Sequence, residues 1–254
     1  MNIWHALILG IVQGLTEFLP ISSSGHLIIF PSVFGWGIQP LAFDTTLHLG
    51  TALALVVYFW KDLLNILMKD RKLGFLILAG SVPAAVVGLL LENTVETVFR
   101  DVSYVILFLL AGSLLMFIAE KLGRWRQNKE VTMKSSILIG VFQSLALLPG
   151  ISRSGSTISG GMLFGLNREK AARFSFLLSM PIVVAAGFFK VVDSVSVLNA
   201  VPLAFLIAGF LSSFVVGMLA IRFMLNFLQT KSLNVFIIYR VLLSISLLIM
   251  FYKI

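Results

Sequence analysis

The sequence contains no cysteine, which excludes disulfide bonds, zinc sites built on thiolates and thiol nucleophiles. Charge is also scarce: charged residues make up 12% of the chain, whereas they make up about a quarter of an average globular domain. Hydrophobic residues account for 59%, and no segment is polar enough to form a soluble domain. The composition therefore predicts an integral membrane protein that forms one membrane domain over residues 1–254.

The charge that is present is mainly positive, with 19 lysines and arginines against 11 acidic residues. In a membrane protein, such an excess indicates basic loops that face the cytoplasm and anionic lipid. We therefore expect membrane lipids as partners and no nucleic acid.

Apolar segments recur along the chain, as expected of helices that cross a hydrocarbon core of ~30 Å. We predict an all-α protein with about six transmembrane helices, at 49–60, 73–91, 102–119, 174–189, 202–221 and 233–252. The segments around Pro20 and Pro149 differ, because a short apolar helix is followed there by a serine-rich break and a second short helix. Each is predicted to form a re-entrant helical hairpin, whose break must be buried in protein or line a wet cavity.

Two predicted loops, 61–72 and 120–134, are rich in lysine and arginine and are therefore expected to be cytoplasmic. The polar connection at 92–101 carries only Arg100. Three crossings after each hairpin then make the two hairpins enter from opposite sides of the membrane. The predicted layout is an inverted-topology repeat, with repeat one at about 1–119, a cytoplasmic loop at about 120–134 and repeat two at about 135–254. Such a layout places a site near the midplane, where the halves meet.

The two hairpins also match in sequence, and the aligned residues differ by a constant number of positions, so that Gln13 aligns with Gln143. The matched residues are Gly10, Gln13, Leu15, Ile21, Ser22, Ser24 and Gly25 in the first copy, and Gly140, Gln143, Leu145, Ile151, Ser152, Ser154 and Gly155 in the second. The copies differ where chemistry is expected, because Glu17 corresponds to Leu147, Ser23 to Arg153 and His26 to Ser156. The two hairpins are therefore expected to supply different groups to one site.

The serines that follow Pro20 and Pro149-Gly150 are suitable N-caps for the second helix of each hairpin. Each of these helices then directs its positive end and its unpaired N–H groups at the break, which favours anions and phosphate in particular. Arg153 adds a planar fork of donors suited to phosphoryl oxygens. Because an arginine at this depth needs a negative partner, it either binds a ligand or pairs with Glu17 and locks the halves together.

Glu17 shares a helix face with Gln13, and it could hold a divalent cation, orient a serine or histidine, or accept a proton from water. One carboxylate is weak support for a metal, since hard cations usually take more oxygen ligands. His26 is placed to reach Ser23 or Ser24 across one turn, where it could activate a serine nucleophile or be structural. His48, one turn after Asp44, either supports the site residues from behind or is structural, and the structural interpretation is preferred. Arg240 is expected to pair internally or to reach the interface.

The segments from Gln13 to His26 and from Pro149 to Thr157 resemble the two motifs of the bacterial undecaprenyl-pyrophosphate phosphatase family, also called the bacitracin-resistance protein family. The resemblance covers the whole chain. It implies a multi-pass protein of the bacterial plasma (inner) membrane that removes one phosphate from the C55 lipid pyrophosphate, which recycles the carrier for peptidoglycan synthesis and confers bacitracin resistance. It also implies a catalytic pocket that opens to the outer, periplasmic face.

By position, the resemblance implies that Glu17, Ser23, His26 and Arg153 are catalytic and that Glu17 is a ligand of magnesium or calcium. The residues expected to bind substrate are Gln13, Ser22, Ser24, Gly25, Ser152, Ser154, Gly155, Ser156 and Thr157. Gln13 stands where many relatives have a second glutamate, which weakens any mechanism with two carboxylates on the metal. We hypothesise that Ser23 attacks the terminal phosphorus with His26 as base, and direct attack by His26 or by water is the alternative.

A transporter or flippase of lipid phosphates is the rival function, because inverted repeats with broken helices also build carriers. A homodimer is a possible oligomeric state of this sequence.

Overall fold

The fold, taken from a computed structural model, is described for residues 2–37, 39–99, 101–123, 129–198 and 201–252. All regular secondary structure in these ranges is helical. The helices are α1 (Ile3–Phe18), α2 (Ser23–Phe34), α3 (Leu41–Tyr58), α4 (Trp60–Met68), α5 (Arg71–Val98), α6 (Val102–Gly123), α7 (Met133–Leu145), α8 (Arg153–Leu163), α9 (Arg168–Leu198), α10 (Leu203–Thr230) and α11 (Asn234–Tyr252).

Six of these helices, α3, α5, α6, α9, α10 and α11, are long and apolar enough to cross a membrane. The predictions of an all-α membrane protein and of about six crossing helices are therefore confirmed. Four shorter helices, α1, α2, α7 and α8, form two pairs, each interrupted by a serine-rich turn. The division into two repeats and the entry of the hairpins from opposite sides stay predictions.

Helix α3 begins at Leu41, so the predicted start at residue 49 is wrong and His48 lies inside the helix. The polar residues before 49 are compatible with a helix because their hydroxyls are satisfied within it. Thr45 donates to the carbonyl of Leu41 at 2.9 Å, and Thr46 donates to the carbonyl of Ala42 at 2.8 Å. Such bonds to the preceding turn remove the cost of carrying hydroxyls on an apolar helix.

Two predicted connections contain helix. The charged loop at 61–72 includes α4, which buries Ile66 against the core, and the connection at 92–101 is helical as far as Val98. In the predicted loop at 120–134, Glu120 belongs to α6, while residues 124–128 lie outside the described residues. These segments were predicted to be loops because they are rich in charged residues. An amphipathic helix at a membrane surface is also rich in charged residues, so charge alone does not distinguish the two.

The first helix of each pair packs closely on a long crossing helix through glycine. A Cβ on Gly14 of α1 would lie 2.8 Å from the carbonyl oxygen of Ser213 in α10. A Cβ on Gly140 of α7 would lie 1.9 Å from the carbonyl oxygen of Gly80 in α5. Small residues that allow backbones to approach are typical of helix contacts in membranes. These contacts fix α1 and α7, and hence the turns that follow them.

Candidate active site

The turns that join the short helices have the same unusual backbone geometry. We call residues 19–24 the first serine turn and residues 148–154 the second. Ser22 and Ser152 have φ of 74° and 76°, and they are the non-glycine residues with positive φ in the part of the chain that the structure describes. Each serine also caps the next helix, since its Oγ accepts a hydrogen bond from the backbone N–H of Gly25 or Gly155. Left-handed backbone at residues other than glycine is strained and is concentrated at functional sites.

Hydrogen bonds join the two serine turns directly. The Oγ of Ser22 accepts from the backbone N–H of Gly150 at 3.0 Å. In return, the Oγ of Ser154 donates to the carbonyl of Leu19 at 3.2 Å. The two motifs, more than a hundred residues apart in sequence, therefore form one site, as the matched hairpins predict.

The carboxylate of Glu17 lies at the centre of this site and is buried. Its Oε1 accepts from Nη2 of Arg153 at 2.6 Å. Its Oε2 accepts from Oγ of Ser23 at 2.6 Å and from Nε2 of Gln13 at 3.0 Å. The ion pair between Arg153 and Glu17, left open by the sequence, is thus present, and Ser23 is hydrogen-bonded to the carboxylate.

The guanidinium of Arg153 is only partly used by this ion pair. Its Nη1 is buried and has no hydrogen-bond partner among the described residues. A buried donor without an acceptor is costly, so this nitrogen is suited to a ligand oxygen. The pair therefore leaves Arg153 able to bind an anion.

His26 is held away from Ser23. Its Nδ1 lies 2.7 Å from the carbonyl oxygen of Ser22, and its Nε2 lies 2.7 Å from the hydroxyl of Tyr239 in α11. Because a carbonyl only accepts, Nδ1 carries the proton and Nε2 accepts from the tyrosine. Both ring nitrogens are therefore engaged, and the structure does not bring His26 together with the hydroxyl that it was hypothesised to activate.

A cavity of about 170 Å³ exposes the centre of the site. Its polar lining consists of Thr16, Glu17, Ser22, Ser23, Ser24, His48, Ser152 and Arg153, and its apolar lining of Ala146 and Val183. The predicted residues Ser156 and Thr157 are farther along α8, where their hydroxyls donate to the carbonyls of Ser152 and Arg153. Gly25 and Gly155 contribute the capping N–H groups.

His48, for which the structural interpretation was preferred, lines the cavity. Its Nε2 lies 4.0 Å from Oε2 of Glu17, and its Nδ1 donates to the carbonyl of Asp44 at 2.8 Å. The sequence offered only the polar pair Asp44 and His48, one turn apart, as a signal for it. The link to the site is a tertiary contact, since Thr51, on the same face of α3 as His48, accepts from Gln13 of α1 at 3.5 Å.

Comparison with known proteins agrees with the resemblance read from the motifs. The family model described as bacitracin resistance protein BacA matches residues 6–246. An undecaprenyl-diphosphatase of Thermodesulfovibrio yellowstonii is 39% identical over 253 residues, which cover 99% of this chain and 98% of the relative. Relatives with the same name from Pelobacter propionicus and Geotalea daltonii are 44% and 45% identical, and each match covers at least 94% of both chains. The chain therefore belongs to the bacitracin resistance protein BacA family.

Proposed function

We propose that this protein is an undecaprenyl-diphosphatase, which hydrolyses undecaprenyl pyrophosphate to undecaprenyl phosphate and inorganic phosphate. The relatives of this chain are named undecaprenyl-diphosphatase, and one observation of the structure supports the same activity. A serine hydroxyl, a carboxylate and a guanidinium are in hydrogen-bond contact where the N-termini of α2 and α8 meet. Hydrolysis of this lipid recycles the carrier for peptidoglycan synthesis, and bacitracin resistance follows from the same activity.

Charge complementarity supports pyrophosphate as the ligand. Helix N-termini supply N–H donors and positive potential, which suit phosphate, and α2 and α8 both begin at the cavity. Arg153 adds the buried Nη1, which has no partner in the part of the chain that the structure describes. When pyrophosphate enters, Arg153 turns from Glu17 to the phosphoryl oxygens, and this exchange frees one oxygen of the carboxylate.

The short bond between Ser23 and Glu17 favours Ser23 as nucleophile and Glu17 as its base. Oγ of Ser23 attacks the terminal phosphorus while Glu17 accepts the hydroxyl proton. The bond from this phosphorus to the bridging oxygen breaks, and undecaprenyl phosphate leaves. Glu17 passes the serine proton to the bridging oxygen of the departing undecaprenyl phosphate and is again a carboxylate. Water then attacks the phosphoserine, Glu17 accepts a proton from this water and returns it to Oγ of Ser23 as the bond from phosphorus to Oγ breaks, and inorganic phosphate is released. Arg153 stabilises the negative charge throughout.

A divalent cation fits this site only as a partner of the substrate. Among the described residues, no three histidine or acidic side chains are grouped to hold a metal, and both oxygens of Glu17 accept hydrogen bonds. Glu17 is the residue that would hold magnesium or calcium, with further ligands from the pyrophosphate and water. Such an ion would supply positive charge to the phosphate oxygens.

The apolar part of the cavity suits a lipid. Ala146 and Val183 border the polar groups, so a prenyl chain would leave the pyrophosphate toward the bilayer on this side. We propose that the protein lies in the bacterial inner membrane with the cavity open to the periplasm. The basic loops are expected to face the cytoplasm, which is then on the opposite side of the membrane from the cavity. A homodimer stays a prediction from the sequence.

Phosphate release by the purified protein in detergent tests the proposal. With a prenyl pyrophosphate as substrate, we expect the unmodified protein to release phosphate and Ser23→Ala to lose the activity. Ser32→Ala, an exposed serine of the same helix whose hydroxyl donates to Ile28, is the matched control and should keep it. Release by neither the unmodified protein nor the control would contradict the enzyme and favour a carrier, whereas full turnover by Ser23→Ala would exclude Ser23 as nucleophile.

A further inference from the structure

A second arginine lies beneath the site. Arg240 of α11 is 0% exposed and is the largest fully buried side chain among the described residues. None of the ion pairs found in the described ranges includes it. Arginines within membrane helices are costly, and where they occur they pair with backbone carbonyls or acids and mark functional regions.

The guanidinium of Arg240 contacts both serine turns. Its Nη1 donates to the carbonyl of Pro20, in the first serine turn, at 3.2 Å. Its Nη2 donates to the carbonyl of Gly150, in the second serine turn, at 2.8 Å. A single planar group therefore joins the ends of α1 and α7, and the geometry of its fork sets the distance between them.

Helix α6 supplies the remaining hydrogen-bond partners of this side chain. Nη2 of Arg240 also donates to the carbonyl of Leu109 at 3.0 Å, and Nε donates to Oγ of Ser113 at 3.1 Å. Between these residues, Gly112 leaves room for the guanidinium, because a Cβ there would lie 2.3 Å from Nη2. The arginine is thus anchored from a crossing helix and not only from the turns.

We propose that Arg240 is a positioning residue for this reaction, which holds the two serine turns at the spacing where Glu17 and Ser23 of the first hairpin meet Arg153 of the second. The proposal rests on the proposed function. A neutral side chain removes the link between the turns. A lysine keeps the charge but offers one nitrogen in place of a planar fork, so it holds one turn and not both.

Kinetics of three variants test this role. Since a misplacement of about 1 Å at a reacting centre can lower the rate about 100-fold, we expect Arg240→Met to lower kcat by about that factor. Gly112→Ala should also lower kcat, because its Cβ would lie 2.3 Å from Nη2 of Arg240 and 2.5 Å from the carbonyl oxygen of Ile151 in the second serine turn. Arg240→Lys should resemble Arg240→Met more than the unmodified protein. Arg222→Met, at an exposed arginine of α10, is the control and should leave kcat unchanged. Normal kcat in Arg240→Lys would overturn the proposal, because charge alone would then suffice.

A distance measurement tests the same role without relying on activity. The chain has no cysteine, so Ile11→Cys in α1 and Val141→Cys in α7, at positions that are 41% and 47% exposed, can carry a pair of spin labels. Pulsed EPR should give a shifted or broadened distance distribution when Arg240→Met is added, and an unchanged one when Arg222→Met is added.

An unchanged distribution with Arg240→Met would overturn the proposal even if activity is lost. If that variant does not fold, Arg240→Lys measured in the same way decides with the same two outcomes, because it alters only the side chain that joins the turns. The measurement also separates the two proposals. If the protein releases no phosphate but Arg240→Met shifts the distance, the proposed phosphatase activity is contradicted and the role of Arg240 in spacing the turns is supported.

Discussion

Glu17 accepts hydrogen bonds from three side chains, and its neighbours define its role at the scale of single residues. Gln13 and Ser23 come from its own hairpin and Arg153 from the other. One buried carboxylate thus balances the charge of Arg153 and accepts the hydrogen bond of the Ser23 hydroxyl, which are the two contacts that the proposed reaction uses. The two contacts use different oxygens of the carboxylate, because Arg153 donates to Oε1 and Ser23 to Oε2.

Glu17→Gln should therefore separate binding from turnover. The amide keeps the size of the side chain but cannot take the serine proton, and general base catalysis contributes about 10²–10⁴-fold. We expect kcat to fall by at least about 100-fold, while KM stays the same or falls because Arg153 is released for the phosphate. Steady-state phosphate release measures both constants. Glu130→Gln, at an exposed acid, is the control, and an unchanged kcat in Glu17→Gln would exclude the glutamate as base.

His26 and Tyr239 should behave as one structural unit. Because Nε2 of His26 accepts from the tyrosine hydroxyl, His26→Ala and Tyr239→Phe remove the same hydrogen bond. We expect their losses of thermal stability to be non-additive in the double variant, with a coupling of about 0.5–3 kcal/mol, and kcat of Tyr239→Phe to stay within about tenfold of the unmodified value. Thermal unfolding in detergent measures the first quantity. Additive losses would show that the two side chains act separately.

Among the elements, the short helix pairs were predicted from the sequence and the ends of several long helices were not. Pro20, Pro149 and the serine runs interrupt apolar segments, and such signals are local. The start of α3 was placed too late because Thr45 and Thr46 appear polar, although hydrogen bonds within the helix satisfy them. The grouping of Glu17, Ser23 and Arg153 followed from the matched motifs. The engagement of His26 by Tyr239 could not be predicted, because it joins residues 213 positions apart.

The contact between α5 and α7 gives a prediction about stability. Gly140→Ala places a Cβ 1.9 Å from the carbonyl oxygen of Gly80, which forces the helices apart. We expect a clear fall in melting temperature and in phosphate release, since α7 leads into the second serine turn. Gly88→Ala in α5 is the control, because the nearest atom to its Cβ would be 3.9 Å away and alanine favours a helix by about 1 kcal/mol. A Gly140→Ala protein as stable as the control would contradict the close contact.

At the scale of the whole molecule, the orientation in the membrane is open to a direct test. Single cysteines at Asp101 and Glu130, both exposed, should lie on opposite sides, the first outside and the second in the cytoplasm. A membrane-impermeant maleimide should then label Asp101→Cys in intact cells, and Glu130→Cys only after permeabilisation. The unmodified chain, which has no cysteine, gives the background. The reverse labelling would invert the proposed orientation of the cavity.

The ion pair between Glu17 and Arg153 has a further consequence during biosynthesis. The two residues are 136 positions apart, so the ribosome completes the first hairpin long before the second exists. Until then Glu17 has no arginine partner from the second hairpin, and a lone ionised acid is costly in lipid. We therefore expect the ion pair to form only after the second hairpin has been synthesised. The first hairpin reaches its final position later still, because α10, which packs on Gly14, and Arg240, which holds both turns, follow the second hairpin in the chain.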